Sequence, residues 1–330
     1  MKPFFLIIIY LVPAIHFVPI LHAGDYQNRA DIKAFVMQMA KQSDYSEAEL
    51  ISLFAQVKQQ SHLFDRLNRP AEKTLQWQQY REIFIQQKRI DQGVRFWRQH
   101  EPLLATVAAQ TGVPVEIIVA IIGVETFFGL YQGKDPVFDS LVTIAFDYPA
   151  RARFFRGELE QFLLLAREQN LHVRSVKGSY AGAMGMPQFI ASSYRHYAVD
   201  GDGDGRVDLF DNIADITHSV ANYFVRHGWR QGEMIATPLV LGADHTVASL
   251  DTGIKPQHIW ADFVQHGLTA KPPVKDHMPV ALIKLGQHAP EYWAGFNNFY
   301  TITRYNHSAF YAMAVYQLSE LIKSGMETEQ

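Results

Sequence analysis

One carboxylate stands out in an apolar stretch of the chain. Residues 116–129 read EIIVAIIGVETFFG, in which Glu125 lies among isoleucine, valine and phenylalanine. If the stretch is helical, at about 100° per residue, every position within about 60° of Glu125 is apolar or glycine. The helix would bury this face, and a carboxyl group removed from water keeps its proton to a higher pH. Glu125 could therefore protonate a leaving group; the alternative is a glutamate that reaches solvent or pairs with an arginine.

A second segment combines small residues with polar ones. Residues 178–189 read GSYAGAMGMPQF, in which glycine and alanine are interleaved with Ser179, Tyr180 and Gln188. Small residues let a backbone approach another surface closely. The segment therefore predicts either a contact between helices or the wall of a cleft that binds a polymer.

An aspartate-rich loop offers the ligands of a hard cation. Residues 200–206 read DGDGDGR, so that Asp200, Asp202 and Asp204 alternate with glycine. This matches the front half of a calcium-binding loop, in which Gly205 allows the sharp turn and the backbone carbonyl of Arg206 supplies a further oxygen. The sequence predicts a structural Ca²⁺ here; the alternative is a merely acidic turn.

The back half of this loop leaves the closing ligand open. The glutamate that usually stands at the twelfth position is missing, and Asp211 occupies its place. Asp208, Asp211 and Asp215 could each complete the shell. We predict a longer loop that is closed by Asp215, with Asp211 as the alternative.

Composition excludes several kinds of site. The chain has no cysteine, which rules out disulfides, thiolate metal sites, a cysteine nucleophile and lipid attachment through an N-terminal cysteine. The formal net charge of −3 gives no reason to expect nucleic-acid binding. The sequence contains neither a phosphate-binding loop nor a nucleophile elbow, so we expect no organic cofactor for catalysis.

Helices must position these residues, because apolar side chains recur at helical spacing along most of the chain. Ser46 and Glu49 predict a capping box, and Gly228 predicts a helix end just after His227. The predicted helices cover residues 29–42, 46–59, 81–109, a segment beginning at 114, 150–169, a segment ending at 227, and 308–323.

The stretch from residue 231 to 303 has a different residue pattern, in which short apolar runs alternate with glycine and proline. TPLVLG, PVALIKLG and YWAGFNNFYTIT resemble strands among glycine and proline turns, with a short helix near residues 256–266. The fold is therefore predicted to be mainly α-helical, with a small α+β region built on an antiparallel sheet.

The N-terminus has the pattern of an export signal. Lys2 is the only charge in the first 24 residues, and an apolar run extends from Phe4 to Leu21. We expect a signal peptide over residues 1–23, cleaved after Ala23. The alternative is an uncleaved inner-membrane anchor, because the run is near spanning length. Either way the rest of the chain is exported.

Taken together, these stretches resemble the bacterial lytic murein transglycosylases of the B type. The resemblance covers about residues 30–322 and rests on PVEIIVAIIGVETFFG, FDYPARARFFRGELEQFLLLARE, GSYAGAMGMPQFIASSY, HSVANYFVRHGW and FYTITRYNHSAFYAMAVYQLSE, in that order. It implies an enzyme that cleaves the β-1,4 bond between N-acetylmuramic acid and N-acetylglucosamine in peptidoglycan.

The resemblance implies roles for individual residues. The glutamate of GVET, Glu125, becomes the sole catalytic acid/base, and the aspartate-rich loop becomes an EF-hand-like calcium site. The residues that line the substrate groove become Tyr80, Ser179, Gln188, Tyr223, Tyr305 and Asn306.

The implied reaction consumes no water. Protonated Glu125 donates to the bridging oxygen, the muramyl 2-acetamido group replaces a protein nucleophile, and the C6 hydroxyl closes a 1,6-anhydro ring. Ser179 and Asn306 position the acetamido group or the adjacent sugar. Ordinary glycosidases need two carboxylates, and no partner acid accompanies Glu125 in the sequence. The alternatives are a hydrolytic muramidase and a non-catalytic, calcium-stabilised scaffold that binds peptidoglycan.

The resemblance also implies an architecture and a location. A lysozyme-like catalytic core is expected over residues 100–231, a helical domain from 24–99 plus 304–330, and a small sheet-containing domain at 232–303. We expect a periplasmic monomer that binds glycan strands, with cell-wall synthesis or remodelling proteins as further candidate partners. Two departures matter: without cysteine, lipoprotein anchoring does not carry over, and Met186-Pro187 before the glutamine alters local groove contacts.

Overall fold

Helices dominate the structure, a computed structural model that describes residues 26–68, 74–287 and 290–328. The predicted signal peptide lies outside these residues. The mainly α-helical prediction is confirmed. The helices are α1 (Ala30–Gln42), α2 (Glu47–Ala55), α3 (Leu63–Asn68), α4 (Trp77–Phe84), α5 (Gln87–Gln99), α6 (Glu101–Thr111), α7 (Val115–Thr126), α8 (Val137–Asp147), α9 (Ala152–Glu168), α10 (Ala191–Tyr197), α11 (Ile213–Arg226), α12 (Trp260–Gln265), α13 (Asn297–Ile302) and α14 (Ala309–Thr328).

The strands form one two-stranded ladder and one small sheet. They are β1 (Asp135–Pro136), β2 (Lys177–Gly178), β3 (Ala236–Leu241), β4 (His258–Ile259), β5 (Leu268–Ala270), β6 (Pro279–Leu285) and β7 (Glu291–Gly295). β1 pairs with β2, and the other five form an antiparallel sheet in the order β4-β6-β7-β3-β5. Trp260 and Phe263 of α12 belong to the core of this sheet region. The small antiparallel sheet is therefore also confirmed.

The chain divides into two compact units, one ending at Lys58 and one beginning at Gln59. In the first unit the predicted capping box is present at the start of α2: Ser46 Oγ accepts from the backbone N–H of Glu49 at 3.2 Å, and the Glu49 carboxylate accepts from the Ser46 N–H at 2.8 Å. Phe54 of α2 is fully buried and packs edge-on against Phe35 of α1.

α7 is a core helix of the second unit. Residues 117–124 are all buried, because the helix is apolar on every side. α5, α6, α11 and α14 pack around it. After Thr126 the chain turns sharply, since Phe127 and Phe128 adopt left-handed φ values of 53° and 60°. The turn brings the Phe128 ring over Gly123, where a Cβ atom would come within 2.6 Å of it. Glycine at this position therefore makes room for the ring.

Two predicted elements end differently in the structure. The strand expected over residues 292–303 stops at Gly295, and α13 follows it. The buried Asn298 side chain donates to the backbone carbonyls of Arg230 at 2.7 Å and Glu233 at 3.0 Å, which fixes the start of the helix. The aromatic and β-branched residues that favour a strand here are buried instead on one face of a short helix.

The helical stretch over residues 81–109 is interrupted twice. One break lies at His100, and Pro102 stands in the first turn of α6, where proline is tolerated. The other break is at Ile85 and Gln86, which are compatible with a helix but adopt non-helical backbone angles between α4 and α5. Within the described residues, no lone helix combines the length and apolarity needed to cross a bilayer; α6 and α7 reach them only jointly and are bent by 113°.

Candidate active site

Glu125 is the penultimate residue of α7 and is partly buried. Tyr311, in the first turn of α14, donates a hydrogen bond to Oε1 of Glu125 at 2.6 Å. Burial and the charge of Glu125 hold the pKa of Tyr311 well above its ordinary value, so the phenol remains protonated and can donate. Glu125 is less completely buried than the helical wheel predicts, although its neighbours Val124 and Thr126 are buried.

A second tyrosine connects Glu125 to a groove. The Tyr305 ring lies parallel to that of Tyr311, with centroids 6.4 Å apart. Burial, followed by the charge of Glu125, raises the pKa of Tyr305. Tyr305 lines a groove of about 800 Å³, whose other lining residues include Gln188, Phe189, Tyr197, Tyr223, His227, Arg304 and Asn306. Glu125 is not itself a lining residue. Its contact Tyr311 stacks on Tyr305, and Tyr305 lines the groove.

The wall of the groove is aromatic and firmly held. The Tyr223 ring lies 4.8 Å from Tyr305 and 5.6 Å from Phe189, between centroids. The Tyr223 hydroxyl donates to the Arg304 carbonyl at 2.6 Å, and the Tyr305 hydroxyl donates to the Pro187 carbonyl at 2.7 Å. Since both phenols are hydrogen-bonded to the backbone, the two rings are fixed in position. The π faces of fixed aromatic rings suit the C–H faces of sugars.

Gln188 enters this groove from a strained backbone. Its φ of 51° is left-handed, and its Nε2 donates to the carbonyls of Gln132 at 3.1 Å and Gly185 at 2.9 Å. The amide hydrogens are thereby used within the protein. Oε1 is left as the atom with which Gln188 can accept a hydrogen bond from a ligand.

Ser179 organises the small-residue segment from within. Its Oγ accepts from the N–H groups of Ala183 at 3.0 Å and Ala181 at 3.3 Å, and β2 ends immediately before it. Among the described residues its hydroxyl hydrogen has no acceptor. Ser179 is partly buried and can therefore donate to a bound molecule.

Tyr80 and Asn306 differ in their placement. Asn306 lines the groove beside Tyr305. Tyr80 is only 2% exposed and packs against Phe84 and Phe310, with ring centroids 5.2 and 5.7 Å away. The structure therefore brings Gln188, Tyr223, Tyr305 and Asn306 together in the groove wall, and places Tyr80 in the core beneath α14.

The aspartate-rich loop brings three carboxylates together. Asp200, Asp202 and Asp204 each offer an oxygen, and these oxygens lie within 4.8 Å of one another. Two ligands bound to one Ca²⁺ at 2.3–2.6 Å can be at most about 5 Å apart, so the spacing fits. Backbone N–H groups, first that of Gly205, donate to Asp200 and lower its pKa. This charged cluster is the chemistry that a hard cation requires.

The predicted closing ligand has a further role. Asp215 is fully buried, and its two oxygens accept from the N–H groups of Gly201 at 2.7 Å and Asp208 at 2.6 Å. It ties both halves of the loop to α11 and does not belong to the three-carboxylate group. Asp211 is also outside that group, and its N–H donates to Asp208.

Tyr311 is the site residue that the sequence analysis did not identify. Its contact with Glu125 spans 186 positions of the chain. The available signal was modest: Tyr311 is a phenol among the aliphatic positions of α14, and residues 312–315 are alanine, methionine and valine. A buried phenol in such a setting needs a hydrogen-bond partner.

Most of the chain is similar to known proteins. Residues 27–320 match the protein family described as the transglycosylase SLT domain. The chain is 40% identical over 309 residues to the membrane-bound lytic murein transglycosylase B of Escherichia coli K12, covering 91% of this chain and 84% of that protein.

Solved structures agree with the fold. The lytic transglycosylase SltB1 of Pseudomonas aeruginosa, 44% identical, superimposes with a TM-score of 0.86 over 92% of this chain and 100% of its own. The E. coli lytic transglycosylase Slt35 in complex with calcium, 39% identical, gives 0.85 over 92% and 96%. P. aeruginosa SltB3 in complex with NAG-anhNAM-pentapeptide, 26% identical, gives 0.77 over 89% and 79%.

Proposed function

Because the chain belongs to the transglycosylase SLT domain family of lytic transglycosylases, we propose that it cleaves the β-1,4 bond between N-acetylmuramic acid and N-acetylglucosamine in peptidoglycan, forming a 1,6-anhydromuramoyl product. The observation that carries the proposal is the placement of Glu125, hydrogen-bonded to Tyr311 and joined through Tyr305 to an aromatic groove. A family relative in complex with an anhydro-sugar fragment adds support for the product.

Bond cleavage begins with a proton from Glu125. The protonated carboxyl group donates to the oxygen that bridges C1 of the muramyl sugar and C4 of the next sugar, and the C1–O bond breaks. The 2-acetamido oxygen of the muramyl sugar bonds to C1 as positive charge develops there. The substrate thus supplies the nucleophile that a second carboxylate supplies in ordinary retaining glycosidases.

Ring closure returns the proton. Glu125, now ionised, accepts the hydrogen of the muramyl C6 hydroxyl while that oxygen attacks C1 and displaces the acetamido oxygen. The anhydro ring is formed, the glutamic acid is restored, and no water is consumed. Tyr311 keeps Glu125 oriented through both steps, because its phenol can donate to the ionised form.

The surrounding side chains hold the sugars. Ser179 and Asn306 position the acetamido group or the adjacent ring, with the free hydroxyl hydrogen of Ser179 as a donor. Gln188 accepts from a sugar hydroxyl or amide through Oε1. Tyr223 and Tyr305 form the apolar face against which a ring stacks. Tyr80 supports the site from the core, where it packs against Phe310, the residue before Tyr311.

A structural Ca²⁺ completes the loop before α11. Asp200, Asp202 and Asp204 would hold it, with the Arg206 carbonyl as a further ligand and Asp215 or Asp211 closing the shell. The ion would neutralise the repulsion among the carboxylates and stiffen the loop. The calcium complex of Slt35 supports this assignment.

The proposed function also implies a cellular location and a domain organisation for the protein. We propose a periplasmic enzyme, exported by residues 1–23, whose partners are glycan strands and which acts as a monomer. Its domains would be a catalytic core over residues 100–231, a helical domain from 24–99 plus 304–330, and a sheet-containing domain at 232–303.

The proposal is tested by digesting purified sacculi with the wild type and with Glu125→Gln, followed by mass spectrometry of the muropeptides. We expect anhydro ends from the wild type and none from the variant, because the amide of glutamine is not acidic enough to protonate the bridging oxygen. Reducing ends from the wild type would indicate a hydrolytic muramidase. Equal effects of both proteins would indicate a non-catalytic scaffold.

A further inference from the structure

The tyrosine of the small-residue segment has an arginine on its ring. The guanidinium carbon of Arg66 lies over the ring of Tyr180, 4.4 Å from the centroid. A cation at this distance is attracted by the negative face of the ring. Arg66 belongs to α3, far from Tyr180 in the sequence. The contact therefore joins two distant segments of the chain.

The same arginine pairs with a buried carboxylate. Nη1 of Arg66 donates to Oδ2 of Asp135 at 3.2 Å, and Nε2 of His62 lies 3.4 Å from Oδ1. Asp135 is 7% exposed, and a buried carboxylate is costly unless it is paired. His62 carries a charge only when it is protonated, whereas an arginine stays charged. Arg66 is therefore the constant partner of Asp135, which in turn pairs with Gly178 across the β1–β2 ladder.

Both contacts of Arg66 lead to the turn that carries Ser179. The N–H of Ser179 donates to the Ala183 carbonyl at 2.8 Å, and the N–H of Ala183 donates to Ser179 Oγ at 3.0 Å. Tyr180 lies inside this closed turn, and Ala181 lines the groove. A cation held on the Tyr180 ring therefore restrains the turn at the edge of the groove.

α3 gives Arg66 a firm base, because it is anchored to α8 and the residue after it. The Phe64 ring stacks on that of Tyr148, with centroids 5.7 Å apart and 15° between the planes. The Tyr148 hydroxyl donates to Asn68 Oδ1 at 2.5 Å. Just before the helix, the N–H of Gln60 donates to Thr143 Oγ1 at 3.0 Å. Arg66 therefore projects from an element whose own position is fixed.

The position of Ser179 matters because its hydroxyl is the donor assigned to the acetamido group or the adjacent sugar. We propose that Arg66 is a positioning residue for the reaction. It holds Ser179 in place by stacking on Tyr180 and by pairing with Asp135, and it acts through Ser179. This inference rests on the proposed function, since it explains how a donor of that reaction is held.

The test measures whether Arg66 acts through Ser179. The kcat/KM for release of anhydro product from a soluble glycan strand is determined for the wild type, Arg66→Gln, Ser179→Ala and the double variant. We expect Arg66→Gln to lower kcat/KM about fivefold, the size of a cation–π contact together with a half-exposed ion pair. In the Ser179→Ala background the same change should lower it by less than about twofold, because the donor is already gone. Equal falls in both backgrounds would overturn the inference.

Further variants separate the two contacts of Arg66. Arg66→Lys keeps a charge beside Asp135 but lacks the planar group that stacks on a ring, so it should recover only part of the activity lost in Arg66→Gln. Tyr180→Leu should lower kcat/KM more than Tyr180→Phe, because phenylalanine keeps the ring face. Equal effects of the two Tyr180 variants would contradict the stacking contact.

Hydrogen exchange provides a readout that does not depend on activity. In Arg66→Gln the amide of Ala183 should exchange about threefold faster, because the turn opens more often. Arg95→Gln is the matched control, since Arg95 is an exposed arginine that hydrogen-bonds Gln92 of its own helix. It should match the wild type in exchange and in kcat/KM.

The two measurements separate this inference from the proposed function. An unchanged exchange rate at Ala183 in Arg66→Gln would overturn the inference, while anhydro products would still support the enzyme. If the wild type forms no anhydro product, the proposed function fails, and the exchange rate at Ala183 then decides by itself whether Arg66 holds the turn.

Discussion

The carboxyl group of Glu125 accepts a hydrogen bond from the phenol of Tyr311, which lies 186 positions later in the chain. The 2.6 Å hydrogen bond from Tyr311 fixes one carboxylate oxygen of Glu125. Because a hydrogen bond donated to a carboxylate favours the ionised form, Tyr311 also influences how easily Glu125 loses its proton. A general acid that must later act as a base needs both states within reach at one pH.

Replacing Tyr311 with phenylalanine should reveal this influence. Loss of the bond should lower kcat by about tenfold to hundredfold, the equivalent of one hydrogen bond to a charged group. Glu125 would then hold its proton to a higher pH, so the alkaline limb of the pH–kcat profile should shift to higher pH. Tyr316→Phe, on the same helix but outside the site, is the control. A lower kcat with an unmoved profile would assign Tyr311 a role in packing only.

The short β1–β2 ladder, which joins segments about 40 residues apart, positions the segment that carries Ser179. Asp135 pairs with Gly178, and Gly133 approaches the same backbone so closely that a Cβ would lie 2.1 Å from the Gly178 carbonyl. Gly133 also has a φ of 98°, which other residues adopt only with strain. This part of the site is therefore set by backbone contact between two glycines.

Gly133→Ala should displace Gly178 and with it Ser179. We expect a loss of about 1–3 kcal/mol in the free energy of unfolding, measured in urea, together with a lower kcat/KM. Gly157→Ala is the matched control for stability, because a Cβ at this position meets open space. This variant should instead gain about 0.5–1 kcal/mol in the free energy of unfolding. Equal responses at the two positions would contradict the steric argument.

The aspartate-rich loop is joined to the groove by one helix. Asn212 caps α11 through its Oδ1 and donates from Nδ2 to Asp202 at 2.9 Å. Asp215 in the first turn holds the loop backbone, and Tyr223 near the other end belongs to the groove wall. Ordering the loop therefore stabilises the helix that carries Tyr223.

Calcium should raise the thermal midpoint of the protein. Binding to the folded state alone contributes about 2.7 kcal/mol when free Ca²⁺ is 100 times its Kd, and a chelator should remove this gain. Asp202→Asn should abolish most of the shift seen by calorimetry. Asp211→Asn should keep it, because Asp211 is outside the three-carboxylate group; a complete loss in that variant would make Asp211 the closing ligand.

At the scale of the whole molecule, the C-terminal helix completes the core around the site. α14 packs against α4, α5 and α7, and residues 312–315 are fully buried. Residues separated by most of the chain thus meet around Glu125. The site can form only after the last helix has joined the earlier ones.

Two leucines of α14 test this dependence. Leu318 is fully buried, whereas Leu321 is 37% exposed. Leu318→Ala should cost about 2–5 kcal/mol in urea unfolding because it leaves a cavity in the core. Leu321→Ala should cost less than about 1 kcal/mol. Similar losses at both positions would show that α14 is not held by the packing described here.

The sequence by itself determined the local features: the helices, the acidic loop and the exceptional glutamate. Helical periodicity and the spacing of loop carboxylates involve residues only a few positions apart, so they can be recognised without the fold. It misjudged residues 297–302 because burial on a helix face outweighed their strand preference.

Only the tertiary structure decided how these features meet. Tyr311, which donates to Glu125, comes from 186 residues away, and the groove combines residues of α9, α10 and α11 with the segment around Tyr305. Such contacts depend on how helices pack, and sequence periodicity defines only which face of each helix is buried. The physical reason is that a hydrogen bond needs a specific distance between two atoms, and that distance is set by the whole core.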